Sequence, residues 1–323
     1  MIEIYVDPAA GQTVAGALSA LPEQGRAAVR LAPGIYRENV SITRPDTVLI
    51  GAGQGKTVIT GCLGAREPFG DGTTRGTFRT QTVFIHAHDV TVKDLTIENT
   101  AGPGRDAGQA IALYADGDRL LFDHVTLRGW QDTLFTGPLP PKEIEKGGFR
   151  GPLEFAPRIN GRQRYVDCRI EGTVDFIFGS ATALFDRCTL FSRDEYPGGN
   201  PEKIRGFVTA PSTPEGQSLG YIFRDCDFTG ECPEGTCYLG RPWRDYAKAY
   251  LFDCRMGAHI RPEGWDDWGK ENAHTTSVFA EHGSRYAGGE SDPPDGLRRR
   301  LDEQEAARIL AEVDAFYADW VEP

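Results

Sequence analysis

Six hexads of one pattern recur along the chain at uneven intervals, and they restrict its architecture more than any other feature. They occupy residues 92–97, 122–127, 165–170, 185–190, 223–228 and 251–256, each with apolar residues at positions one, four and six. Position four holds Leu95, Val125, Cys168, Cys188, Cys226 and Cys254, at separations of 30, 43, 20, 38 and 28 residues. Such spacing suits coils of a solenoid whose loops vary around a constant core. The hexads are short, rich in β-branched and aromatic residues, and bounded by Gly, Asp, Asn and Pro, so they read as strands. No long helical pattern separates them, which excludes doubly wound α/β folds and (β/α)₈ barrels. The expected fold class is all-β: a parallel β-helix in one domain spanning residues 1–323.

Cysteine shares its slot with Leu and Val, so the four aligned thiols read as an internal ladder of small apolar side chains. Val14, Leu18 and Leu21 form a short helical stripe expected to cap the open N-terminal end. Near the other end Ala306, Ile309, Leu310, Val313, Phe316, Tyr317 and Trp320 recur at helical spacing behind Asp302 and Glu305, a capping pair. A helix at about 301–320 is expected to pack on the solenoid's flank. Residues 138–157, with five prolines, form a long loop.

No run of 18 apolar residues is present, so no membrane span is expected. The chain enters strand-like sequence at once, without a basic and apolar leader, and its seven cysteines are an odd count. A cytoplasmic location follows as the expectation; secretion after removal of a signal is the alternative. The net charge of −12 argues against nucleic acid. It also disfavours an anionic polymer unless a local groove overrides the mean field.

Several motif matches fail on context. Gly216-Gln217-Ser218-Leu219-Gly220 precedes a strand where a nucleophile elbow follows one. The glycine-rich run at 51–57 has Ile50 where a P-loop needs its first glycine. His86 and His88 share a strand face without a third ligand, and Cys232 with Cys237 lacks a second Cys/His pair, so no metal is expected.

Two segments carry more chemistry. Gly129-Trp130-Gln131-Asp132-Thr133-Leu134 and Gly172-Thr173-Val174-Asp175-Phe176-Ile177-Phe178-Gly179 each contain an aspartate seven residues beyond a hexad's fourth position, Val125 and Cys168. In a parallel stack the two carboxylates then lie one coil apart, about 4.7–4.9 Å between backbones. Carboxylates so close repel, so one keeps its proton and the other ionises. A bidentate arginine beside one of them decides which.

With Gly34-Ile35-Tyr36-Arg37-Glu38, Asn99-Thr100-Ala101-Gly102-Pro103, Gln109-Ala110-Ile111-Ala112-Leu113 and Leu239-Gly240-Arg241-Pro242-Trp243, the chain resembles the pectin methylesterases (pectinesterases), in particular bacterial members without a signal peptide. The resemblance runs from about Ile4 to Trp268. It implies a right-handed parallel β-helix and hydrolysis of the C6 methyl ester of galacturonate units in homogalacturonan or its oligosaccharides. By the same resemblance Asp175 is the nucleophile, Asp132 the general acid and base, and Gln109 and Gln131 the oxyanion pair. Arg241 holds the nucleophile, and Trp130, Phe176 and Trp243 line the sugar cleft. No cofactor, nucleic acid or membrane partner is implied, and a monomer is expected. The 138–157 loop, absent from many secreted relatives, is expected to narrow one cleft end and favour oligosaccharides. The acidic net charge suggests a preference for highly esterified chains. Rival readings are a polygalacturonase-type glycoside hydrolase on the same fold, to which closely spaced carboxylates are also suited, and a non-catalytic carbohydrate-binding solenoid.

Overall fold

The computed structural model of the chain describes residues 2–200, 202–288 and 297–320. Its strands form two sheets, of eighteen and seven strands. Every ladder between named strands is parallel, as in Val125 beside Leu95, Leu127 beside Ile170 and Leu134 beside Ile177. Successive coils therefore stack in one direction as a right-handed parallel β-helix.

The hexads are not straight strands. Their third residues, Asp94, His124, Asp167, Arg187, Asp225 and Asp253, all have φ between 48° and 56°. Left-handed backbone costs an L-residue energy, least for Asp and Asn, which explains four aspartates among the six. Each hexad thus turns a corner, within one strand in Val90–Asn99 and Leu120–Arg128 and between two strands elsewhere, as where Arg162–Val166 gives way to Arg169–Gly172. The corner folds the large sheet into two faces around the core.

Inside the corner, the position-one rings of Phe122, Tyr165, Phe185 and Phe223 stack at 4.7, 4.7 and 4.6 Å between centroids. The cysteine ladder lies beside them, and it is polar in one respect. The thiols of Cys168, Cys188, Cys226 and Cys254 donate to the position-one carbonyls of the preceding coil, those of Phe122, Tyr165, Phe185 and Phe223. These distances are 3.3 to 3.6 Å. A thiol therefore fills apolar volume and also partners a buried carbonyl, which Leu or Val does not. Cys188→Ala should lose about 1–2 kcal/mol through the small cavity and the lost bond, read as a lower urea midpoint at unchanged slope.

Both expected helices are present, one at each end of the chain. The short helix Val14–Ser19 is capped by the Thr13 hydroxyl, and the Glu38 carboxylate accepts from the Val14 and Ala15 amides at 2.8 and 3.0 Å. Tyr36 donates to the carbonyls of Val6 and Ala32. These contacts give the 34–38 motif a structural role. The C-terminal helix Glu303–Tyr317 has a full capping box between Asp302 and Glu305. Its Ala306, Ile309, Val313 and Tyr317 pack on Leu121, Leu184, Ile222 and Phe252 of the flank.

A second aromatic ladder runs outside the seven-stranded sheet. Phe84, Tyr114, Phe135, Phe178 and Ala210 are paired in register across five strands. Their rings meet edge-on or tilted at 4.6 to 5.1 Å. The long loop covers this apolar strip with Leu139, Phe149 and Leu153. Arg158 holds the loop's shape, donating to the carbonyls of Pro140, Leu153, Glu154 and Ala156.

Candidate active site

Leu134 pairs with Ile177, and Leu127 with Ile170, so the chain advances equally from hexad to aspartate in both coils. Asp132 and Asp175 are consequently stacked one coil apart. Both are left-handed, with φ of 61° and 51°, and the Asp132 amide donates to the Val174 carbonyl at 3.1 Å. The turn that begins the outer sheet thus points both carboxyls out of the core. One coil earlier, the Ala110 amide donates to the Gln131 carbonyl at 3.1 Å, which sets Gln109 beside Gln131.

All four side chains line one cleft of about 540 Å³, together with Arg241 and Trp243. Arg241 grips Asp175 with both prongs, Nε to Oδ1 at 2.9 Å and Nη2 to Oδ2 at 2.7 Å. Its guanidinium lies between the rings of Phe207 and Trp268, 3.9 and 3.8 Å from their centroids. That sandwich fixes the plane of the fork, a geometry that suits arginine and not lysine.

The two carboxyls are electrostatically unequal. Burial raises Asp175 above the ordinary carboxylate range, while the Arg241 hydrogen bonds and charge pull it back. Burial raises Asp132 much further, and the neighbouring Asp175 adds to the rise. The arrangement favours an ionised Asp175 facing a protonated Asp132. Among the described residues, the side-chain amides of Gln109 and Gln131 have no hydrogen-bond partner in the protein, which leaves them available to a ligand in the cleft.

Two expected cleft residues lie elsewhere. Phe176 is fully buried in the central core. The left-handed Asp175 and a register shift between Val174 and Ile177 turn it inward, so that Phe178 emerges into the cleft instead. Trp130 is half-buried beneath the Arg193 guanidinium, 3.6 Å from its ring centroid, and is not part of the cleft lining. Phe78, Phe149, Arg244, Trp268 and Lys270 line the cleft without having been singled out. None of these five lies in the two aspartate motifs, and only the stacked coils bring them together.

Outside the cleft, Asp123, His124 and Asp167 bring one potential ligand atom each to within 4.8 Å of the others. They sit at the solvent-facing corner and are already engaged: His124 with Asp123, Asp123 with Lys93, and Asp167 with Arg187. Cys232 and Cys237 are both free thiols.

Asp116, buried at the foot of the long loop, has its pKa raised to about 7 by burial, against the pull of Arg158. A carboxyl with a raised native pKa favours the folded state most fully below its ordinary value near 3.8. That contribution disappears as pH rises through about 7. Asp116→Asn should therefore match the parent near pH 4 and exceed it at pH 8 by roughly 2–4 kcal/mol, measured by urea unfolding at both pH values.

The chain is similar to known proteins over most of its length. The Pectinesterase family profile matches residues 7–138 and 158–307, passing over most of the long loop. A probable pectinesterase/pectinesterase inhibitor 64 of Arabidopsis thaliana is 32% identical over 287 residues, covering 84% of this chain. The chain spans 43% of that protein's length. Among solved structures, pectin methylesterase PemA from Erwinia chrysanthemi superimposes with a TM-score of 0.80 at 28% identity, covering 100% of this chain and 99% of its own. A pectin methylesterase solved in complex with a hexasaccharide gives 0.77 at 29% identity, covering 96% of this chain and 94% of its own. With the profile matched over most of its length, the chain belongs to the pectinesterase family.

Proposed function

We propose that the protein hydrolyses the C6 methyl ester of galacturonate units, releasing methanol and leaving the free acid. The observation that carries this reading is the stacked pair of unequal aspartates, one clamped by Arg241, beside two uncommitted glutamine amides. In the proposed sequence an Asp175 oxygen attacks the ester carbonyl carbon. The side-chain N–H groups of Gln109 and Gln131 donate to the developing oxyanion. Asp132 gives its proton to the departing methoxide, and methanol leaves an acyl-enzyme anhydride on Asp175. Asp132, now ionised, takes a proton from water, which attacks the C6 carbonyl and restores the Asp175 carboxylate.

Amide donors favour this over the glycosidase reading, because they stabilise negative charge and not an oxocarbenium ion. An arginine clamp and a buried acid pair are also unneeded in a purely binding solenoid. The long loop supports a substrate preference as well: Ile144, Glu145, Gly148 and Phe149 line the cleft, and such a wall favours oligosaccharides over polymer. For location we propose the cytoplasm, on the strength of the unpaired cysteines, with cell fractionation as the test.

Incubation with methylated pectin, following methanol, reducing ends and unsaturated product, tests the function. Methanol alone is expected. Reducing ends without methanol would transfer the reading to the glycosidase.

A further inference from the structure

Glu195 is a buried carboxylate that follows the strand Thr189–Ser192 and is not part of the cleft lining. Its Oε1 accepts from the Gly104 amide at 2.9 Å and from the Thr173 hydroxyl at 2.8 Å. Its Oε2 accepts from the Arg105 amide at 3.3 Å. These partners come from different coils. Gly104 follows the hexad at 92–97, Gln131 that at 122–127, Thr173 that at 165–170 and Glu195 that at 185–190, and the four hexads stack in that order. One carboxylate thus joins the first, third and fourth of four successive coils, a total rise of about 14 Å. Arg193 crosses part of the same gap, donating to the Gly129 carbonyl at 2.7 Å. The second coil, which carries Gln131, is enclosed by this tie without being bonded to Glu195.

Gly104 is where the tie meets the cleft. A methyl group on its Cα would lie 2.5 Å from Gln131 Oε1 and 2.9 Å from Gln131 Cβ, with Glu195 Oε1 next at 3.2 Å. The Gln131 side chain therefore rests on the bare Cα of Gly104, and its amide oxygen is the atom that faces it. The amide nitrogen is left for the cleft that Gln131 lines. Glu195 Oε1 is already filled by two donors, so it does not draw that nitrogen away. The backbone itself does not require glycine here. Gly104 is not left-handed, and it opens the short helix Gly104–Ala107, where alanine is the better helix former. Space for Gln131 is what requires it. We propose that Glu195 and Gly104 are positioning residues for Gln131: the carboxylate pins the 104 segment behind the amide, and the missing Cβ lets the amide seat with its N–H groups toward the reacting ester. The proposal rests on the esterase reading for the oxyanion those groups meet. Neither residue lines the cleft, so each acts through Gln131.

Glu195→Ala strips three donors of their acceptor, so Gly104→Ala, which removes no hydrogen bond, carries the main test. Its methyl displaces a side chain and not backbone, and the urea midpoint should stay close to the parent's. With methylated trigalacturonate, kcat for methanol release should fall at least about tenfold while KM stays within about twofold. Gln131→Ala should cost about 10²-fold in kcat. Adding Gly104→Ala to that variant should cost no more than about twofold further, because the residue through which it acts is gone. Glu195→Gln keeps an oxygen for Gly104 and Thr173 and should retain at least about a third of the parent kcat, whereas Glu195→Ala should lose about tenfold. An unchanged kcat in Gly104→Ala, a loss confined to KM, an undiminished loss in the Gln131→Ala background, or equal losses in the two Glu195 variants overturns the proposal. Absence of methanol from the parent would defeat the esterase reading, and a crystal structure of Gly104→Ala would still decide the positioning. A Gln131 amide displaced by about 1 Å or more, with Asp132 and Asp175 in place, supports it. An unmoved amide beside a lifted 104 segment rejects it.

Discussion

Replacing Asp175 with Asn should reduce methanol release by at least ~10³-fold, because the amide is no nucleophile and the neighbouring Asp132 is held protonated. The loss should appear in kcat with little change in KM, since Asn keeps the shape of the side chain. Stability should fall as well. Arg241 would keep one hydrogen bond of two and lose its counter-ion while still enclosed by Phe207 and Trp268, at a cost of about 1–3 kcal/mol. Circular dichroism and urea unfolding separate the two effects. A folded, inactive variant is expected, and an active one would remove Asp175 from the chemistry.

Asp132→Asn should lower kcat by ~10²–10⁴-fold, the usual range for removing a general acid and base. Its signature is in the pH profile. Asp132 must carry a proton when methoxide leaves, so activity declines as pH rises through its strongly raised pKa. Asp175 must be ionised, so activity declines as pH falls through its own less raised pKa. The asparagine variant should therefore lose the alkaline limb and keep the acidic one. Stability should respond in the opposite sense. A protonated buried Asp132 suits the fold at low pH, and that advantage is lost as pH rises through its native pKa. The variant, neutral throughout, should be more stable than the parent on the alkaline side, as thermal melts across pH would reveal.

The coil repeat could be read from the chain because three of every six hexad residues face the core in each coil. The corner could not, although aspartate at position three in four hexads is its trace: Arg187 and His124 occupy the same left-handed place and hide the rule. The aspartate pair could be placed because no bulge interrupts either coil between hexad and turn. Just beyond Asp175 the register shifts between Val174 and Ile177, so the place in the cleft that the resemblance implied for Phe176 falls to Phe178 instead. The outer aromatic ladder escaped notice because Tyr114, Phe135 and Phe178 lie in the other sheet, at a phase the hexads do not reveal. Trp268, Lys270 and Arg244 belong to loops that stacking alone carries to the cleft. The glutamines and the arginine, by contrast, stand in compact motifs that are weak singly and specific taken together.

The central claim is that two aspartates of the same turn, one coil apart, divide the work of nucleophile and proton carrier. Rapid-quench mass spectrometry of the protein with a methylated trigalacturonate, alongside the methanol released in the first turnover, tests it most directly. The account predicts a methanol burst matched by an acyl adduct on the peptide that bears Asp175. A burst with no adduct, or an adduct on the peptide bearing Asp132, would contradict it.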